Sequence, residues 1–327
     1  MRTNHGISSV EMRWVNMNIN DEIADYLDYI DLKENTIIGY KNILYGFAKF
    51  LEKRQVLEPT RNDLLAFKEH SLKHLGSASV QKYIVVLRGF FKHLKFKGVY
   101  EDISYQVRGC KVETTFKRMP LSIKDSIKLI SKAKKKAVNE IGKRDYALVV
   151  LFLTTGIRSI EAERANTNDI DIVQGEAVLH IQGKGRDSKA EFVKLSEETY
   201  SAIQEYLATI DTNSIADDDR GTPLFLTKPH NGIRRRLSTK MIRTQIKDLL
   251  VSIGYNSRAY SVHSLRHTFA TTALLKGASI LQTQEALRHK NISTTQIYSH
   301  MVEGLGSNTN QIVSDALFKT KKGQDNK

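Results

Sequence analysis

Residues whose types and spacing suit the handling of a phosphate group are concentrated in four segments of the chain. Arg158 follows Thr155-Gly156-Ile157 at the end of an apolar run. Glu161, three residues on, shares its helical face and can orient the guanidinium. Lys184 stands between Gly183 and Gly185, where flanking glycines let a lysine approach a ligand closely. His263 and Arg266 share one face of a predicted helix in His263-Ser264-Leu265-Arg266-His267. His289 follows Leu287-Arg288, and Tyr298 stands nine residues later. Each piece is weak alone. An isolated Arg–Glu pair is usually structural, a Gly-Lys-Gly hairpin is commonly only a turn, and a single tyrosine is an ordinary half-buried phenol. Histidines four apart on a helix can ligate zinc, but the glutamate of the His-Glu-x-x-His arrangement is missing. Arg266 would also repel a cation, so no metal is expected.

The elements that must position these residues are mainly helical. Ile37, Tyr40, Leu44, Phe47 and Leu51 recur at spacings of three and four, which predicts one amphipathic helix. Ser79-Val80-Gln81 opens a second run through Tyr83, Ile84, Leu87, Phe90, Phe91 and Leu94, with Gly98 as its stop. The aromatic stripe reads as core, not as a base-stacking platform. From residue 106 to 119 the periodicity is lost, and Pro120 and a Ser122 N-cap follow. The boundaries read from this are a helical domain at 1–112, a basic linker at 113–120 and a second domain at 121–327.

In that second domain, Tyr146 to Thr154 reads as a buried helix feeding a turn at Gly156. Ala177–Ile181 and Glu191–Leu195 read as two strands joined by a turn, and Leu224-Phe225-Leu226 as an edge strand. The remainder reads as helical to about Phe318. The fold class expected is therefore mainly α with a small antiparallel β-sheet.

Composition narrows the function classes. At 327 residues, 40% hydrophobic and 26% charged, the chain is ordinary globular protein of two-domain length. One cysteine excludes a disulfide framework and fits a reducing cytosol. Neither a run of about 18 apolar residues nor an export signal is read, so no membrane role is expected and a cytoplasmic, nucleoid-associated location is. Fifty Lys and Arg against 36 Asp and Glu give +14, which favours a polyanionic partner.

In this order, the four segments resemble the tyrosine recombinase (phage integrase) family, in its Xer-like or mobile-element form. Its motif is an arginine after Thr-Gly, a hairpin lysine, His-x-x-Arg, then a histidine or tryptophan with the nucleophilic tyrosine nine residues beyond. The resemblance covers Leu121 to about Phe318. It extends weakly to Thr36-x3-Tyr40-x3-Leu44-x2-Phe47-x2-Phe50-Leu51, which looks like the family's SAM-like core-binding domain. One departure is Arg288, where the family usually has the glycine of Leu-Gly-His. It suggests either a helical continuation or an additional phosphate contact.

The resemblance implies site-specific cutting and rejoining of DNA through a 3′-phosphotyrosine. Tyr298 would be the nucleophile, a phenol that must lose its proton to attack. Arg158 and Arg266 would clamp the non-bridging oxygens, and His289 would hydrogen-bond the same phosphate. His263 would be the acid/base near Tyr298, and Lys184 the general acid for the departing 5′-oxygen. The arginines supply the charge that a metal supplies elsewhere, and the linkage keeps the bond energy, so no cofactor is expected.

The partners implied are double-stranded recombination sites, further copies in a tetramer on paired sites, and a possible accessory protein. A tail helix over Asn308–Phe318 would dock on a neighbouring subunit. DNA contacts are expected from Arg234, Arg235, Arg236, Arg288, Lys117 and Arg118, whereas Lys132–Lys136 reads as a solvated helix face. The alternatives are a DNA topoisomerase of the similar tyrosine class and a non-catalytic DNA-binding protein. All six catalytic positions being filled argues against the second.

Overall fold

The computed structural model describes residues 18–111, 118–183, 188–289 and Tyr298. The chain divides into two compact units, Met1–Thr115 and Phe116–Lys327. The first is built from α1 (Ile19–Tyr29), α2 (Glu34–Lys53), α3 (Arg61–Leu72) and α4 (Ser77–Phe96). Local chemistry sets the ends: Asn18 caps α1, Thr60 and Asp63 form a reciprocal capping box on α3, and Gly98 takes a left-handed conformation just past α4. The aromatic stripe is core, as its spacing predicts. Phe47, Phe90 and Phe91 are fully buried, with edge-to-face contacts at 5.1 Å (Phe47–Phe67) and 5.3 Å (Phe90–Phe91). Each such ring contributes roughly 1.5–3 kcal/mol by burial alone. The segment after α4 is tied back to α3 and α4: Lys68 Nζ of α3 donates to the Arg108 carbonyl (2.8 Å), and the Cys110 N–H donates to Gln81 of α4 (2.8 Å).

The second unit is organised around one helix. It comprises α5 (Ile123–Lys136), α6 (Glu140–Thr155), α7 (Ser159–Arg164), β1 (Ile170–Val173), β2 (Glu176–Ile181), β3 (Glu191–Lys194), α8 (Glu197–Leu207), α9 (Thr239–Val251), α10 (Val262–Leu275) and α11 (Ile280–Leu287). α6 packs against α5, α8 and α10, and Leu148, Val149, Leu151 and Phe152 are all fully buried. A helix apolar on every side can only lie inside a core. On α5, by contrast, Leu129 and Ala133 are buried while Lys132, Lys134, Lys135 and Lys136 are exposed, the solvated face expected of that run. The start of the unit is fixed to α10 and the residues before it: Met119 N–H donates to the Ala259 carbonyl (3.0 Å), and Leu121 N–H to Thr268 Oγ1 (2.8 Å).

The sheet has the order β1-β2-β3 and is antiparallel throughout, with Leu179 facing Ile170 on one side and Val193 on the other. Its middle and last strands are those the sequence predicts. β1 is an addition: Ile172 and Val173 are exposed, so this edge strand shows no buried alternation to read. The expected strand at Leu224–Leu226 is corrected. These residues are buried, but their backbone bonds go to separate places: Leu224 N–H to the Ala165 carbonyl, Leu226 N–H to the Tyr206 hydroxyl, and Leu237 N–H to the Phe225 carbonyl. The segment from Thr227 to Ser238 is likewise loop with isolated bridges, not helix.

Candidate functional site

Gly156 ends α6 in a left-handed conformation (φ 61°, ψ 22°). A Cβ there would lie 2.8 Å from the Phe269 ring and 2.9 Å from Leu287, so backbone angle and packing both demand glycine. The turn places Arg158 at the N-cap of α7. Glu161, at N3, reaches back to the Arg158 N–H (2.8 Å) and also takes its guanidinium (Nη1–Oε1 2.7 Å). One carboxylate thus caps the helix and aims the arginine. Glu161 is fully buried while 28% of the Arg158 side chain is exposed.

Arg266, on α10, is buried, and its two terminal nitrogens are divided between backbone carbonyls. Nη1 donates to Gly156 and Nη2 to Leu287 (2.5 Å). Burial and the neighbouring Arg158 push its pKa down to about 9, against the pull of Glu161. Leu287 is the last residue of α11, which stops because Arg288 turns left-handed (φ 55°, ψ 47°). That rules out the helical continuation expected there. It costs a non-glycine residue about 1–2 kcal/mol. The Arg288 carbonyl accepts from Arg158 Nη2 (3.5 Å), so two consecutive carbonyls each take one of the two arginines. The Arg288 side chain turns inward, to Glu161 (2.9 Å) and the Ala286 carbonyl (2.8 Å). His289 comes next, its N–H donating to the Gln284 carbonyl (3.1 Å).

Tyr298 is 2% exposed. Its hydroxyl lies 2.7 Å from His267 Nδ1, and its ring is nearly parallel to His289 (centroids 6.4 Å, 11°). Burial pushes the phenol pKa up to about 12, with Arg266 and Arg158 pulling the other way. Burial, His263 and Arg266 bring His267 down to about 4. Burial, Arg266 and Arg158 do the same to His289. At neutral pH the free site therefore holds a protonated phenol beside neutral imidazoles.

His267 is the residue that sequence reasoning missed. Its spacing from His263 was weighed only for zinc, although that same spacing puts the ring one helical turn along α10. His263 itself is exposed, and partial desolvation with Arg243, Arg118, Arg266 and Arg158 holds its pKa below the usual value. Arg118 thus lies within electrostatic reach of both histidines.

The basic run at 234–236 is different from what was expected. Arg234 is paired with Glu140 (2.5 Å). Arg236 is paired with Asp218 (2.6 Å) and donates to Asn166 (2.9 Å) and to the carbonyls of Glu163, Ala165 and Gly221. In the free protein both guanidiniums are paired inside the unit. Only Arg235 of the three is exposed. Lys117, Lys184 and the expected tail helix at 308–318 lie outside the described residues. The connection that carries Lys184 leaves β2 at Gly183, whose carbonyl accepts from Arg164 of α7 (3.3 Å), the helix that also holds Glu161.

Comparison with known proteins bears on what this arrangement is for. Residues 123–303 match the Phage integrase family, and residues 23–98 the Phage integrase, N-terminal SAM-like domain. The tyrosine recombinase XerD of Listeria innocua serovar 6a is 28% identical over 295 residues, spanning 87% of this chain and 95% of that protein. Among solved structures, the XerH site-specific recombinase bound to palindromic difH substrate superposes with a TM-score of 0.66 at 17% identity, covering 93% of this chain and 95% of that one. The Tn1549 transposon integrase in complex with transposon right end DNA gives 0.67 at 17%, covering 86% and 94%. At those identities the two structures establish the shared fold.

Proposed function

The chain belongs to the phage integrase family, and from that premise we propose that it is a site-specific DNA recombinase acting through Tyr298. The observation that supports this most directly is the setting of that phenol. Its hydroxyl is held by His267, its ring lies beside His289, and Arg158 and Arg266 act on it electrostatically.

In the reaction, the Tyr298 oxygen attacks the phosphorus of a DNA phosphodiester and gives up its proton to a base. His263 is the acid/base we assign to that transfer. The bond from phosphorus to the 5′-oxygen breaks, and Lys184 protonates the departing oxygen. The product is a 3′-phosphotyrosine, which a 5′-hydroxyl from the partner site attacks in the reverse sense. Arg158 and Arg266 carry the charge that builds on the non-bridging oxygens, as fixed donors that need no reorganisation. A phosphate entering the site also opposes the shifts described above. Negative charge favours the imidazolium forms of His263 and His289 and raises the pKa of Arg266 back toward its usual range.

Residues 1–112 would form the core-binding domain, 113–120 the linker and 121–327 the catalytic domain with its tail. Four copies would assemble on two paired sites, in the cytoplasm at the nucleoid. The biological role we favour is movement of a mobile element. Among the described residues no helix is long and apolar enough to cross a membrane.

The test is a nicked suicide substrate drawn from the DNA flanking this protein's own reading frame, incubated without metal or ATP. We expect a covalent adduct whose peptide map places the DNA on Tyr298, and no adduct with Tyr298→Phe. An adduct that survives this substitution overturns the nucleophile. Lys184→Ala should stall cleavage of the ordinary substrate and recover when the leaving oxygen is made a better leaving group; no recovery removes its acid role.

A further inference from the structure

An arginine holds the left-handed position that ends α11, and two local costs attend it. The backbone angle is one that glycine adopts freely, and the Arg288 Nε–H is buried without a partner among the described residues. What offsets them is chiefly an ion pair: the guanidinium, 9% exposed, on the fully buried carboxylate of Glu161, with a second bond to the Ala286 carbonyl. That carboxylate is the one that aims Arg158. It accepts three donors, from the Arg158 N–H, Arg158 Nη1 and Arg288 Nη2. The main chain of the same turn takes Arg266 on the Leu287 carbonyl and Arg158 on the Arg288 carbonyl, and leads directly into His289.

We infer that Arg288 is a positioning residue for strand cleavage: its ion pair with Glu161 fastens the 287–289 turn to α7, fixing the Arg158 guanidinium and His289 in register. This rests on the reading that Arg158 and His289 handle the scissile phosphate. The pairing has an electrostatic side as well. Arg158 and Glu161 alone sum to zero, whereas two guanidiniums sharing one carboxylate leave +1, so Arg158 is aimed without being neutralised. Glycine at 288 would make an unstrained turn but would leave Arg158 as the sole cation on Glu161.

The test compares Arg288→Gly and Arg288→Lys in the full-length protein by two independent readouts. In the free protein, side-chain NMR of 15N-arginine reports on Arg158 with no reaction needed. Arg288→Gly should shift the Arg158 Nε signal and speed guanidinium rotation, and Arg288→Lys should restore most of both. On a suicide substrate at saturating enzyme, Arg288→Gly should cleave about 10- to 100-fold more slowly, the scale expected of a small displacement of a clamping group. Its DNA affinity and the salt dependence of that affinity should be unchanged.

An unmoved Arg158 signal overturns the proposal whether or not the protein cuts DNA. A salt slope that falls by about one, with cleavage at saturation intact, also overturns it, because Arg288 is then a phosphate contact. A moved signal in a protein that forms no adduct on any flanking sequence leaves the positioning role standing and removes the recombinase reading. Should Arg288→Gly fail to fold, Arg288→Met takes its place with the same outcomes.

Discussion

Between Asp211 and Leu237, Arg220, Arg234 and Arg236 lie against Asp218, Glu140 and Glu163, three cations to three anions and a balance of zero. Around the turn at 287–289, Arg158 and Arg288 pair with Glu161 and Arg266 lies within its electrostatic reach, so three cations less one anion leave +2. The first region holds the densest arginine run in the sequence, yet only Arg235 of that run is exposed. The second draws its arginines from the N-cap of α7, the interior of α10 and the C-cap of α11, and keeps an excess facing a phenol. A basic run therefore marks an anion site poorly; what marks one is cations that outnumber the carboxylates folded against them. Polar groups already satisfied within the fold have nothing to gain from a phosphate, whereas an unbalanced cluster is relieved by one.

The comparison can be broken by substitution, and the largest effect belongs to the unbalanced cluster. Arg266→Ala should slow single-turnover cleavage on the order of 10²- to 10³-fold, the loss seen when one donor to a developing oxyanion is removed. Equal cleavage by the variant would show that the excess charge does not serve the reaction. In the balanced region, Arg236→Ala should instead destabilise the fold by roughly 1–3 kcal/mol, since it takes a buried donor from the Glu163, Ala165 and Gly221 carbonyls while Asp218 keeps its pairing with Arg220. Urea denaturation measures this. The salt dependence of DNA binding should stay as it was; a fall in slope would return Arg236 to the DNA interface.

A smaller effect follows from pH. His267 and His289 sit near 4 in the fold, against an ordinary 6.5, so between those values the unfolded chain binds more protons than the native one. Their contribution to stability is fully present above about pH 6.5 and is lost as pH falls toward 4. The melting temperature of the second unit should drop through that window, and bound DNA should reduce the drop by raising both pKa values. A melting temperature flat from 6.5 to 4.5, or a drop equal with and without DNA, would refute it. Least of all, Arg235→Ala should change stability by under about 0.5 kcal/mol, because that side chain is exposed.

How far the sequence could be read follows the same division. Helices with a periodic apolar face, such as α2 and α4, and strands β2 and β3 are visible because burial imposes a period on neighbouring residues. β1 is not, since both its large apolar residues at 172 and 173 face solvent. At the site, Arg158, His263, Arg266, His289 and Tyr298 could be named from spacing once the family pattern was seen. The fold brings Arg158, Arg266, His289 and Tyr298 into one cluster. His267 could not be assigned to Tyr298, because their contact spans 31 residues and depends on how α10 is rotated. The internal pairing of Arg234 and Arg236 was illegible for the complementary reason. Their carboxylates come from 94 and 18 residues away, and a local charge count sees neither.

The 2% exposure of Tyr298 has a kinetic consequence. A ring so enclosed reaches a phosphodiester only after a displacement, and that displacement is a step with its own rate. The interval between DNA capture and cutting then includes the opening of a pocket as well as the breaking of a bond. Steps of that kind feel solvent friction, so added glycerol should lengthen the wait while a better leaving group leaves it untouched. A recombinase of this kind is timed by its own packing, and stray duplex that binds briefly leaves before the nucleophile is offered.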